Sequence, residues 1–130
     1  MDTPRVLVVD DDRDLCDLLS DFLVEEGSAV TRAYAGHEAI DAARLSTPDA
    51  VLLDLLLPDI SGVHVGRALR EIPGAGNLPI VIISGDRAAL ARSAAELGAH
   101  SVHEKPFSLT AVRTAVDDAL ARGSDANGPR

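Results

Sequence analysis

The 130-residue chain has almost no rings: tryptophan is absent, there is one tyrosine and there are two phenylalanines. Its interior must therefore be built from Val, Ile, Leu and Ala, which suits buried parallel strands covered by helices. A single cysteine, Cys16, excludes an internal disulfide. Positive charge is also scarce, with 12 Lys and Arg against 21 Asp and Glu and a net charge of −9. A surface that tracks nucleic-acid phosphates needs clustered cations, so nucleic acid is not an expected partner. Charged-then-apolar leaders and bilayer-length apolar runs are missing too, and membrane partners are not expected. The expectation is a soluble, cytoplasmic protein of one domain.

Short apolar runs alternate with helical patterns along the chain. RVLVV, AVTRAY, AVLLDLL, PIVIIS and SVHEK read as strands. The first, third and fourth are nearly continuous Val, Ile and Leu, which predicts central strands buried on both faces. Leu15, Leu18, Leu19, Phe22 and Leu23 recur at helical spacing before Gly27. Further helices are predicted over Gly36–Ser46, Ser61–Ile72, Arg87–Leu97 and Ser108–Arg122, with Ser61, Asp86 and Ser108 as N-caps. Five βα repeats with right-handed crossovers give an α/β, doubly wound five-stranded parallel sheet of order 2-1-3-4-5 with five helices. Residues 4–122 form the domain, and 123–130 read as a flexible polar tail without periodicity.

The chemistry gathers at strand ends. Asp10 and Asp11 follow the first strand, Asp54 the third, Ser84 the fourth and Lys105 the fifth. All five belong to the carboxyl edge of the sheet, where such folds bind ligands. Glycines of a nucleotide fingerprint are absent from the first turn, which Asp10, Asp11 and Asp12 occupy. Carboxylates within about 4 Å repel by roughly 4 kcal/mol per pair at an effective dielectric near 20. Something positive must sit among them, and a hard cation such as Mg²⁺ takes carboxylate, water and phosphate oxygens. A carboxylate can also be the nucleophile in phosphoryl transfer, with metal, ammonium and hydroxyl groups receiving the developing charge. Asp54, Mg²⁺, Lys105 and Ser84 supply that set.

VLVVDDD, VLLDLLLPDISG, LPIVIISG and GAHSVHEKPF stand in an order and spacing that resemble the receiver domain of two-component response regulators, over roughly residues 4–122. The resemblance implies a flavodoxin-like fold and a chain that is a phosphoacceptor, not an enzyme, assisting its own phosphorylation and dephosphorylation. It implies that Asp54 accepts the phosphoryl group, Asp11 binds Mg²⁺ directly, Asp10 binds it through water and the Leu56 backbone carbonyl is a further ligand. Ser84 would hydrogen-bond the phosphoryl oxygens, Lys105 would pair with them, and Gly85 would leave room for the group to enter. A cis peptide is implied between Lys105 and Pro106. The implied donor is a histidine kinase or histidine phosphotransfer protein, with a downstream protein partner in signalling or phosphorelay.

Two positions depart from the family. Val102 stands where many receivers carry a Tyr or Phe that swings inward, and valine is stiff and small for a switch. Leu56 stands beside the acceptor where a polar side chain often positions attacking water, so a long-lived phosphoaspartate is expected. The residues also admit two alternatives. One is an aspartate-nucleophile phosphohydrolase of the haloacid dehalogenase type, which Asp10 and Asp12 imitate as D-x-D. The other is a receiver fragment of a larger hybrid protein. A hydrolase triad around Ser84 lacks the G-x-S-x-G elbow. His100 and His103, three apart on an expected strand, would face opposite ways and form no metal pair. His37 and His64 read as solvated residues, and Cys16 as a small residue at the core edge.

Overall fold

The computed structural model describes residues 3–127. Elements alternate along the chain as β1 (Arg5–Val9), α1 (Arg13–Glu25), β2 (Ala29–Ala33), α2 (Gly36–Leu45), β3 (Ala50–Asp54), α3 (Gly62–Arg70), β4 (Ile80–Ser84), α4 (Arg87–Leu97), β5 (Ser101–Glu104) and α5 (Leu109–Asn127). The sheet is parallel throughout, in the order β2-β1-β3-β4-β5. Both the fold class and the strand order match the reading of the sequence.

Alternation along the central strands divides the core into two layers. Leu7, Val9, Val51, Leu53, Ile80 and Ile82 point toward α2, α3 and α4, packing on residues such as Ile40, Leu69 and Leu97. Val6, Val8, Leu52, Val81 and Ile83 point the other way, against Leu19 and Leu23 of α1 and Val112 and Val116 of α5. Every residue of β3 and β4 is buried, which is why these strands read as continuous apolar runs. Cys16 lies fully inside the second layer rather than at its edge.

Helix starts follow local chemistry. Ser61 accepts from His64 N, Asp86 from Ala89 N and Ser108 from Ala111 N, so each predicted cap is formed. Asp12 does the same for α1 by accepting from Leu15 N at 3.1 Å.

Most boundaries shift by one or two residues, and three differences bear on the readings above. Strand β3 stops at Asp54 instead of continuing through Leu56. The turn is enforced at Gly62, whose added Cβ would lie 2.5 Å from Asp54 O and 2.6 Å from Leu55 Cα. His100 precedes β5 and is not a strand residue. Finally, α5 runs to Asn127, beyond the predicted end at Arg122. Lone Gly123 costs a helix only about 1 kcal/mol, too little to stop it. The last residues of the expected tail, 128–130, lie outside the described residues.

Candidate phosphoacceptor site

Register brings the site together. Val9 pairs with Leu53, so Asp10 and Asp54 emerge side by side. Asp54 is beside Ile83 of β4, and Ser84 is beside Glu104, which places Lys105 one residue beyond the same rim. Asp10, Asp54 and Ser84 are all buried, at 0%, 3% and 0% exposure. Asp11 is exposed at the mouth.

Lys105 joins the two buried acids. Its Nζ donates to Asp54 Oδ2 at 3.2 Å and lies 3.0 Å from Asp10 Oδ2. Its backbone N donates to Ser84 O at 2.8 Å, which fixes the ammonium's stem to the end of β4. The Lys105–Pro106 peptide is cis. Asp10 Oδ1 accepts from Asp12 N, and Asp54 Oδ1 accepts from Leu56 N at 3.2 Å. Ser84 Oγ accepts from Asp86 N. A Cβ on Gly85 would meet nothing within 4 Å, so the approach beside Ser84 is open.

Electrostatics leaves this arrangement short of positive charge. Burial and the neighbouring Asp10 carboxylate push the Asp54 carboxyl up to about 6, against the pull of Lys105. For Lys105, burial opposes the ammonium, but contact with Asp10 and Asp54 outweighs it and raises the pKa. Asp10 Oδ2 is buried with no hydrogen-bond partner of good geometry, despite its ion pair with Lys105. An under-satisfied buried carboxylate oxygen costs of order 1–3 kcal/mol or more. Carboxylate oxygens of Asp10, Asp11 and Asp54 lie within 4.8 Å of one another. The donor set is all oxygen, acidic and open at Asp11, which fits a hard divalent cation such as Mg²⁺.

The D-x-D imitation does not form a unit. Asp12 is used as the helix cap of α1, whereas Asp54 lies at the centre with Lys105. The histidines form no metal pair either. His100 Nε2 is 2.9 Å from Asp118 Oδ2, and His103 Nε2 is 3.2 Å from Ser101 Oγ. Among the described residues, Asp10, Asp11 and Asp54 are the one group of three or more ligating side chains.

Two residues near the site carried no local signal in the sequence. Asp59, in the loop after Asp54, accepts from Gly36 N at 2.7 Å and His37 N at 2.9 Å. Glu104 Oε1 accepts from Arg87 Nη2 and Nε at 3.0 and 3.3 Å, linking β5 to the start of α4. Val102, on the same strand, is 40% exposed and Leu56 is 59% exposed.

The response regulator receiver domain family matches residues 6–117. Response regulator MprA of Mycobacterium sp. (strain KMS) is 36% identical over 126 residues, covering 96% of this chain and 54% of that protein. The chain thus spans about half the length of such curated relatives. Among solved structures, a CheY-like response regulator receiver domain protein from Methanospirillum hungatei JF-1 has a TM-score of 0.87 at 22% identity. It covers 97% of this chain and 100% of that one, a likeness of fold. NtrX from Brucella abortus has a TM-score of 0.85 at 29% identity, covering 96% of this chain and 28% of that one. Sheet order, the buried acid pair joined by a lysine and the match over residues 6–117 agree, and the chain belongs to the response regulator receiver domain family of two-component systems.

Proposed function

We propose that the chain accepts a phosphoryl group on Asp54 from a histidine kinase or histidine phosphotransfer protein, in a Mg²⁺-dependent reaction. An Asp54 carboxylate oxygen attacks phosphorus, the P–N bond of the donor phosphohistidine breaks, and its electron pair returns to the imidazole, which takes up a proton. Lys105 and Ser84 receive the charge that develops on the phosphoryl oxygens, and Gly85 leaves them space. Asp10, Asp11 and the Leu56 carbonyl, with Asp54, would hold the Mg²⁺. Bound there, the cation offsets the acids' mutual repulsion and neutralises charge on the transferring group.

The observation that carries this reading is the Lys105 ammonium, 3.0 Å from Asp10 and 3.2 Å from Asp54 on the buried rim. The chain is a stoichiometric acceptor that assists its own loading and unloading, not an enzyme acting on a separate substrate. It works in the cytoplasm in signalling or phosphorelay and passes its state to a downstream protein.

The test is an intact-mass measurement after incubation with acetyl phosphate and Mg²⁺. One phosphoryl group is expected on the unsubstituted chain, and none with Asp54→Ala or with EDTA. Labelling retained by Asp54→Ala would overturn the assignment, and phosphate mapped to Asp10 would favour the phosphohydrolase alternative.

A second reading is a receiver segment of a longer regulator, favoured by the 54% coverage of MprA. A native gene product much larger than 13.6 kDa in cell extract would establish it.

A further inference from the structure

The loop between Asp54 and Gly62 bears the Leu56 carbonyl, and it is held at two places. At its base, Gly62 N donates to Leu55 O at 2.8 Å, and no side chain fits at Gly62 because of the Asp54 carbonyl. Its tip is held by another element altogether. Helix α2 begins after Ala35, an N-cap position that supplies no side-chain hydrogen bond. Asp59 fills that role across the loop: Oδ1 accepts from Gly36 N at 2.7 Å, and Oδ2 accepts from His37 N at 2.9 Å and lies 2.8 Å from His37 Nδ1.

An apolar contact backs the polar one. A Cβ on Gly36 would lie 2.4 Å from Ile60 Cγ1, so the loop rests directly on the first residue of α2. Backbone bonds at the helix start hold the Asp59 carboxyl well below the usual carboxylate range, so it is ionised at neutral pH. A helix start satisfied by a residue 23 positions later is also a tether for the loop that supplies it.

We infer that Asp59 is a positioning residue for the metal site: by fastening the loop tip to α2 it fixes the backbone at Leu56, and with it the carbonyl offered to the cation. This rests on the Mg²⁺ reading proposed above. Asp59 touches neither the acid cluster nor Lys105, so it acts only through the loop. Groups that orient ligating atoms commonly alter metal affinity by tenfold or more when removed.

The experiment follows Mg²⁺ binding by amide NMR, reading Asp11 and the loop after Asp54, with thermal unfolding measured in parallel. Asp59→Ala should weaken Mg²⁺ about tenfold while leaving phosphorylation by acetyl phosphate at saturating Mg²⁺ near its original extent. It should also lower the melting temperature, because α2 loses its cap. The double substitution Asp59→Ala with Ala35→Asp separates these effects, since Ala35 has the extended backbone of a cap residue, φ −151° and ψ 160°. A local cap should restore the melting temperature and leave Mg²⁺ binding weak.

Asp59→Asn, which keeps the shape and one acceptor oxygen, should fall between the two and serves if the alanine variant does not fold. An unchanged Mg²⁺ dissociation constant in Asp59→Ala or Asp59→Asn would overturn the inference, as would full recovery of Mg²⁺ binding on adding the local cap. If the unsubstituted chain gave no Mg²⁺ response, the metal reading itself would fail and take this inference with it.

Discussion

Polar groups at the two ends of the sheet are treated in opposite ways. At the amino ends of the strands, Arg70 and His100 both find partners. Arg70 donates through Nε and Nη2 to Leu78 O at 3.2 Å and through Nη2 to Gly98 O at 3.3 Å. His100 and Arg122 both meet Asp118, at 2.9 and 3.3 Å. At the carboxyl ends two buried acids share one ammonium, and Asp10 Oδ2 lacks a hydrogen bond of good geometry. The first arrangement stabilises the fold. In the second, unfavourable burial is retained where a metal and a phosphoryl group would enter.

The sharpest way to test that contrast is to damage the satisfied end. Arg70→Ala strips donors from the Leu78 and Gly98 carbonyls and should cost about 2–3 kcal/mol in urea unfolding, without reducing labelling by acetyl phosphate. Loss of labelling at full folding would blur the division between the two ends.

Easing the strained end should do the reverse. Because the folded-state pKa of Asp54 is raised from 3.8 to about 6, the folded chain holds more protons than the unfolded chain between those values. Stability therefore falls as pH rises through that window. Asp54→Asn, which has no proton to lose, should be more stable than the parent at pH 7.5 in EDTA, by about 1–2 kcal/mol. That gain should vanish near pH 4 and shrink on adding Mg²⁺, since a cation held at the proposed site would stabilise the parent. Equal stabilities at pH 7.5 would show that Lys105 already satisfies both acids.

The smallest effect concerns water. Leu56→Asn replaces an exposed apolar side chain beside the acceptor with one able to orient an attacking water. Loss of phosphate, followed by intact mass after removal of the donor, should quicken severalfold, equivalent to about 1 kcal/mol in the barrier. Equal or slower loss would mean that Leu56 does not shield the phosphoaspartate.

What was legible in the sequence depended on distance along the chain. Strands β1, β3 and β4 announced themselves because burial on both faces demands unbroken Val, Ile and Leu. Caps at Ser61, Asp86 and Ser108 were readable because each bonds an amide three residues on. Gathering of Asp10, Asp54, Ser84 and Lys105 followed from topology, since parallel strands deliver their carboxyl ends to one rim. Asp59 was not legible, because its partners at Gly36 and His37 are reached only after the fold has formed. The Arg87–Glu104 pair, beside Val102, was hidden for the same reason. The end of α5 escaped for a different one: helices without a strong stop signal extend past the last apolar residue that patterning can detect.

Cys16, sealed between α1 and the strands, has one further use. It is the chain's single thiol, and its Sγ faces the Val8 and Ala33 carbonyls at 3.8 and 4.0 Å. A thiol-reactive reagent can reach it only in molecules where α1 has lifted from the sheet. The rate of its modification therefore clocks those excursions without any introduced probe, and comparing loaded with unloaded chains would reveal whether phosphate at the rim quiets or loosens the helix beside it.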